Sequence, residues 1–188
     1  MKVFISSLIA GVEPIRQAAR NAVITLRHQS LMAEDFRAKT LSPQIACLNG
    51  IRQSDLVVFI LGAEYGGVQP SRLSATHEEY REARGRKPIL AFVQNKIVPD
   101  PMQAQFIEEV QGWKEGYFRE GFANASDLQS AIIRALHEYE LANAVGPVDP
   151  EEIARRAVCA LPTDYTGFRR SRLRSPAVHV SKFSVRSK

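Results

Sequence analysis

Short apolar runs alternate along this chain with longer stretches in which apolar side chains return every three or four residues. KVFIS (2–6) opens the sequence as a brief β-rich run, and DLVVFILG (55–62) and PILAFV (88–93) are almost wholly apolar. Unbroken runs of this length suit parallel strands covered by helices on both faces. Ile15, Ala18, Ala22 and Leu26 form one stripe at helical spacing, and Pro14 sits where a first turn accepts it. Ser42-Pro43 predicts the start of a second helix, a cap followed by proline. A third helix is expected over about 76–86, a fourth along Met102, Phe106, Val110 and Trp113, and a fifth along Leu128, Ile132, Leu136 and Tyr139. SLMAED (30–35) reads as a faint strand and YFR (117–119) as a short edge strand.

Strands alternating with helices predict an α/β fold. The expected form is a three-layer sandwich around a central parallel sheet of about five strands, flavodoxin-like or Rossmann-like. The 2–5 and 55–61 strands are expected side by side at its centre. The α/β domain is predicted over residues 1–143, because AVGPVD breaks the pattern just after Asn143. Residues 144–188 read as a linker, a short helix and a basic tail. The short helix is signalled by Asp149-Pro150-Glu151-Glu152, and nothing is periodic beyond Leu161.

Composition adds little to the fold and more to the partners. With 188 residues, 45% hydrophobic and 24% charged, the chain is of ordinary globular make-up. No apolar stretch approaches the roughly 20 residues needed to cross a bilayer, and the run after Met1-Lys2 is too brief for a secretory core. A cytoplasmic protein with no membrane partner is expected. Cys47 and Cys159 lie in apolar runs and read as small core residues rather than a disulfide. The net charge of +5 is concentrated in the tail, where Arg169, Arg170, Arg172, Arg174, Lys182, Arg186 and Lys188 follow the last acid. The remaining 18 cations face 20 acids, so the body is mildly acidic. Any contact with nucleic acid is therefore confined to the tail, which reads first as a solvated linker.

No glycine-rich dinucleotide fingerprint, phosphate loop or paired-cysteine signature is present. The four histidines (28, 77, 137 and 179) are scattered without ligand spacing, and no metal site is expected. An open parallel sheet binds ligands beyond the carboxyl ends of its strands, where strand order reverses. That places Ser6 and Ser7, the 62–67 segment and the head of the third helix at the candidate site. Gly62, Gly66 and Gly67 allow close backbone approach, or simply form a loop, and Tyr65 offers a stacking face with a polar tip. Thr76-His77-Glu78-Glu79 fits a capping box, which accounts for Glu79 without any function. The same position has a second consequence. A carboxylate held ionised near a helix N-terminus can attack an anomeric carbon or stabilise an oxocarbenium-like transition state. Both readings stand on the residues alone.

KVFISS, Arg16, CLNGIRQSDLVVFILGAEYG and SATHEEYREA together resemble a bacterial domain of unknown function, numbered 4062, over roughly residues 1–140. That family is similar to TIR domains and nucleoside deoxyribosyltransferases. Thr76, Glu79, Tyr80 and Ala83 match the transferases' nucleophile motif, whereas Ala75 replaces its glycine and Ala63 an aspartate. The resemblance implies a TIR-like effector domain with no bound cofactor. It would cleave the N-ribosyl bond of NAD or a related nucleotide, in bacterial antiphage defence. Glu79 is implied as catalytic. Ser6, Ser7, Gly62 and Tyr65 would hold phosphate or base, with Ser74 and Thr76 orienting the sugar. Self-association is implied as well. The alternatives are a non-catalytic sensor of a nucleotide signal and a self-assembling interaction domain.

Overall fold

The computed structural model describes residues 1–37, 40–112, 117 and 119–146. Five parallel strands form one sheet: β1 (Lys2–Ser6), β2 (Gln29–Leu31), β3 (Leu56–Leu61), β4 (Ile89–Gln94) and β5 (Arg119–Phe122). Their spatial order is β2-β1-β3-β4-β5, so β1 and β3 are the central pair, in register from Val3 opposite Leu56 to Ser6 opposite Phe59. The helices are α1 (Glu13–Thr25), α2 (Pro43–Gln53), α3 (Ala75–Ala83), α4 (Pro101–Gln111) and α5 (Ala125–Val145).

The period-two alternation of each strand sorts the core into two layers. Val3, Ile5, Val58 and Ile60 face α1 and α5, where they meet Ala19, Ala22, Val23, Leu128, Ile132 and Leu136. Phe4, Val57, Phe59, Leu61 and Val93 face the other way, onto Ile51 of α2, Tyr80 and Ala83 of α3, and Phe106 and Val110 of α4. Every residue of β3 is buried, which is why that stretch carries no polar side chain.

Several boundaries differ from those expected. The faint second strand is only three residues long. A single 3-10 turn (Ala33–Asp35) replaces its second half, closed where the Asp35 carboxylate accepts the Met32 amide at 2.9 Å. The last strand begins at Arg119, the final residue of the YFR segment, and ends on buried Phe122. Helix α3 ends at Ala83, and α5 runs to Val145, where Gly146 adopts a φ of 77°. Trp113 and the helix expected from Asp149 lie outside the described residues, as do Cys159 and the basic tail. No described helix is long and apolar enough to cross a membrane.

At Gly50 helix α2 comes close to the sheet. A Cβ there would stand 2.8 Å from the Phe36 ring and 2.9 Å from the Phe4 ring. Gly50→Val gains helix propensity but forces both rings to move. The expected net loss is about 2 kcal/mol, read as a lower midpoint of urea denaturation.

Candidate active site

Strand order reverses between β1 and β3, and two adjoining cavities open beyond the carboxyl ends of this pair. The first is about 350 Å³, and its walls include Ser7, Arg16, Cys47, Tyr65, Ser74, Thr76 and Glu79. The second is about 160 Å³ and includes Gly62, Tyr65, Thr76, Gln94 and Gln103. Ser7, Leu8, Ala10, Tyr65 and Thr76 line both, so the two spaces share a wall.

Glu79 is only 8% exposed, five residues into α3. Three elements converge on its carboxyl group. Ser6, the last residue of β1, donates its hydroxyl to Oε2, and the Cys47 thiol of α2 donates a second hydrogen bond. Burial pushes the Glu79 carboxyl up to about 7, opposed by those two donors and by the Arg16 charge. This corrects the expectation that the helix N-terminus holds Glu79 ionised. At the fifth helical position and almost dry, desolvation outweighs the dipole. Burial, helped by the same carboxyl, raises the Cys47 thiol to about 12, so Cys47 is a neutral donor and no nucleophile.

The capping box is also corrected. Ser74, not Thr76, caps α3, its Oγ accepting the His77 amide at 3.3 Å. Thr76 thereby becomes the second helical residue and is free to line both cavities. Ser74 stays beside the first cavity but is committed to its helix.

The other expected contacts are also largely engaged. Ser7 accepts from Arg16 Nη1 at 2.6 Å and donates to the Leu8 carbonyl at 2.9 Å. Arg16 is buried and completes its shell with both carboxylate oxygens of Glu34. Gly62 lines only the second cavity, and its carbonyl accepts from Gln103 Nε2 at 2.8 Å. Tyr65 is buried rather than offered as an open stacking face: its hydroxyl meets His77 Nδ1 at 2.7 Å, and its ring stands edge-on to Phe106. Of the expected residues, Ser6, Ser7, Tyr65, Ser74, Thr76 and Glu79 are thus brought together, while Gly62 stands across the shared wall.

Sequence reasoning missed the supports of this wall. His77 stacks on Phe106 with centroids 4.1 Å apart, and its Nε2 meets Glu109 at 3.1 Å. Burial lowers its pKa against the pull of Glu109. Asp100 caps α4 with one oxygen and accepts the Tyr65 amide at 2.8 Å with the other. That second bond reaches a residue 35 positions away, which no local pattern announces. Tyr65→Phe would leave His77 Nδ1 buried and unpaired. An expected loss of about 1–2 kcal/mol, by chemical denaturation, follows from that. Among the described residues no cluster of three His, Cys, Asp or Glu could hold a metal ion.

Residues 2–137 match the family described as "Domain of unknown function (DUF4062)". Among solved structures, the RPS4 and RRS1 TIR domain heterodimer is similar with a TM-score of 0.50 and 12% identity, over 76% of this chain and 100% of that one. A CMP N-glycosidase, BcmB of Clostridium botulinum, gives 0.49 and 14%, over 72% and 99%. A flavoprotein of Thermotoga maritima gives 0.45 and 16%, over 75% and 36%. At these identities the likeness shows the fold, which is TIR-like. A comparison with curated protein sequences yields no match.

Proposed function

The chain belongs to the DUF4062 family, and from the placement of Glu79 in its TIR-like fold we propose that it cleaves the N-ribosyl bond of a nucleotide or nucleoside, with NAD among the candidates. The observation that carries the reading is a nearly dry carboxyl group, with a pKa of about 7, in the wall of a cavity at the topological switch point.

Cleavage breaks the C1′–N bond, and the electron pair leaves with the base. Positive charge then develops at C1′ and the ring oxygen. At pH 7 about half of Glu79 is ionised, given its pKa near 7. A cation forming beside it favours the ionised form, so the carboxylate strengthens its interaction in the transition state more than in the ground state. It either attacks C1′, giving an ester that water opens, or holds the oxocarbenium ion while water attacks directly. In both routes the attacking water loses a proton and the free sugar hydroxyl forms. Ser6 and Cys47 keep the carboxyl oriented, and Thr76, in the wall of both cavities, is the residue assigned to a ribose hydroxyl.

A second reading is a cavity that binds such a ligand without turning it over, as part of a signalling or self-associating module. What favours it is how closely Ser6 and Cys47 enclose Glu79. A bacterial defence setting and a cytoplasmic location belong to this proposal too. Free-base release from a panel of N-ribosyl compounds, NAD included, tests the enzymatic reading. Release that vanishes in Glu79→Gln supports it, and release unaffected by that change defeats it.

A further inference from the structure

We propose that Glu34 and Glu13 are specificity residues that exclude a 5′-phosphate, so that the site takes an unphosphorylated nucleoside. This rests on the reading of the cavity as an N-ribosyl site and narrows its substrate class.

Two features beside the cavities are suited to an anion, and this chain's own carboxylates already occupy both. The first is Arg16. Among the described residues it is the sole cation in the walls of either cavity. It is 4% exposed, and its Nε and Nη2 are both spent on Glu34, with Nη1 on Ser7 and the Leu8 carbonyl. Burial opposes it, yet the guanidinium holds Glu34 below the ordinary carboxylate range. Charge and donors are therefore consumed within the fold.

The second is the amino end of α1, which follows β1 directly, with Gly11 and Val12 in the wall of the second cavity. Free amides at such an end ordinarily favour phosphate. Here Glu13 folds back and accepts the Gly11 amide at 3.1 Å, and backbone hydrogen bonds at residues 13 and 11 keep its carboxyl low. An internal carboxylate thus takes up the Gly11 amide beside that cavity.

The remaining charges point the same way. Glu78 and Glu79 line the first cavity, and Glu64 lines the second. A phosphate dianion brought here meets like charge and, among the described residues of the cavity walls, finds no uncommitted cation. A neutral nucleoside, or one with a cationic base, meets neither cost.

The full chain is to be tested with a panel of nucleosides, including nicotinamide riboside, each beside its 5′-monophosphate. Both base release and thermal stabilisation are recorded. The expected result is a preference for the nucleoside of roughly tenfold or more in kcat/KM or Kd, shrinking in 1 M salt. Glu34→Gln leaves the Arg16 charge uncompensated and Glu13→Ala uncovers the α1 amides, so each narrows the gap by several-fold. Glu13 is exposed, so its variant serves even where Glu34→Gln disturbs the fold. Equal or better handling of the monophosphates by wild type overturns the proposal. So does a preference untouched by either substitution. Nucleoside binding with the expected preference but no cleavage supports the exclusion while sinking the catalytic role of Glu79. Failure of every compound to bind overturns both.

Discussion

Glu79→Gln is expected to lower base release by about 10²–10³-fold, equivalent to roughly 3–4 kcal/mol of transition-state stabilisation, with the fold intact. Glutamine keeps the size of the side chain and an oxygen for the Ser6 hydroxyl. It removes only the charge that opposes a cationic sugar. Because that charge acts mainly in the transition state, the loss falls on kcat more than on KM. Glu78→Gln is the control. Glu78 stands one residue away in the same wall, but accepts from Ser71 and from Gln44 Nε2 near the surface. Its loss is expected to change rates by no more than a few-fold. Equal effects at the two positions would mean that general negative potential, rather than a placed carboxylate, supports the reaction.

The same substitution is expected to stabilise the protein above neutrality. Folding raises the Glu79 carboxyl from an ordinary value of 4.5 to about 7. Its favourable contribution is therefore complete below pH 4.5 and is lost as pH rises through 7, where the buried group must ionise. At 1.36 kcal/mol per pH unit, the cost at pH 8 is about 3 kcal/mol, and Glu79→Gln relieves it. A rise in melting temperature on the order of 10 °C at pH 8, fading to nothing near pH 4.5, is the signature. His77 titrates in the opposite sense, since burial depresses its pKa and acid therefore destabilises its folded form. It is common to both proteins and cancels from the difference.

The central strands were legible because burial on both faces leaves no room for polar side chains, as β3 shows throughout. The second strand was legible only faintly and with wrong bounds, since three edge residues, none of them buried, carry neither alternation nor an apolar run. Glu79 was found by position and misread by environment. SATHEE offers two overlapping frames for a cap, Ser74 with His77 and Thr76 with Glu79. The acid in the second frame made it the better match to a capping box, yet the chain uses the first. That slip of two residues turns Glu79 from the rim of the helix toward the sheet. Its burial further depends on Ser6, 73 positions away, and no local pattern announces a partner at that distance. Arg16 entered with the family resemblance, yet nothing in the α1 pattern announces the partners, Ser7 and Glu34, that draw it inside.

The account turns on Glu79 facing the ligand with a charge that responds to it. Carbon NMR of the labelled Glu79 carboxyl, titrated with and without a nucleoside bearing a cationic base, measures this directly. The expected result is a midpoint near 7 in the free protein, a fall of a unit or more when the ligand binds, and loss of the signal in Glu79→Gln. A midpoint near 4.5, or one near 7 that saturating ligand leaves unmoved, would contradict the assignment of Glu79 as the reacting group.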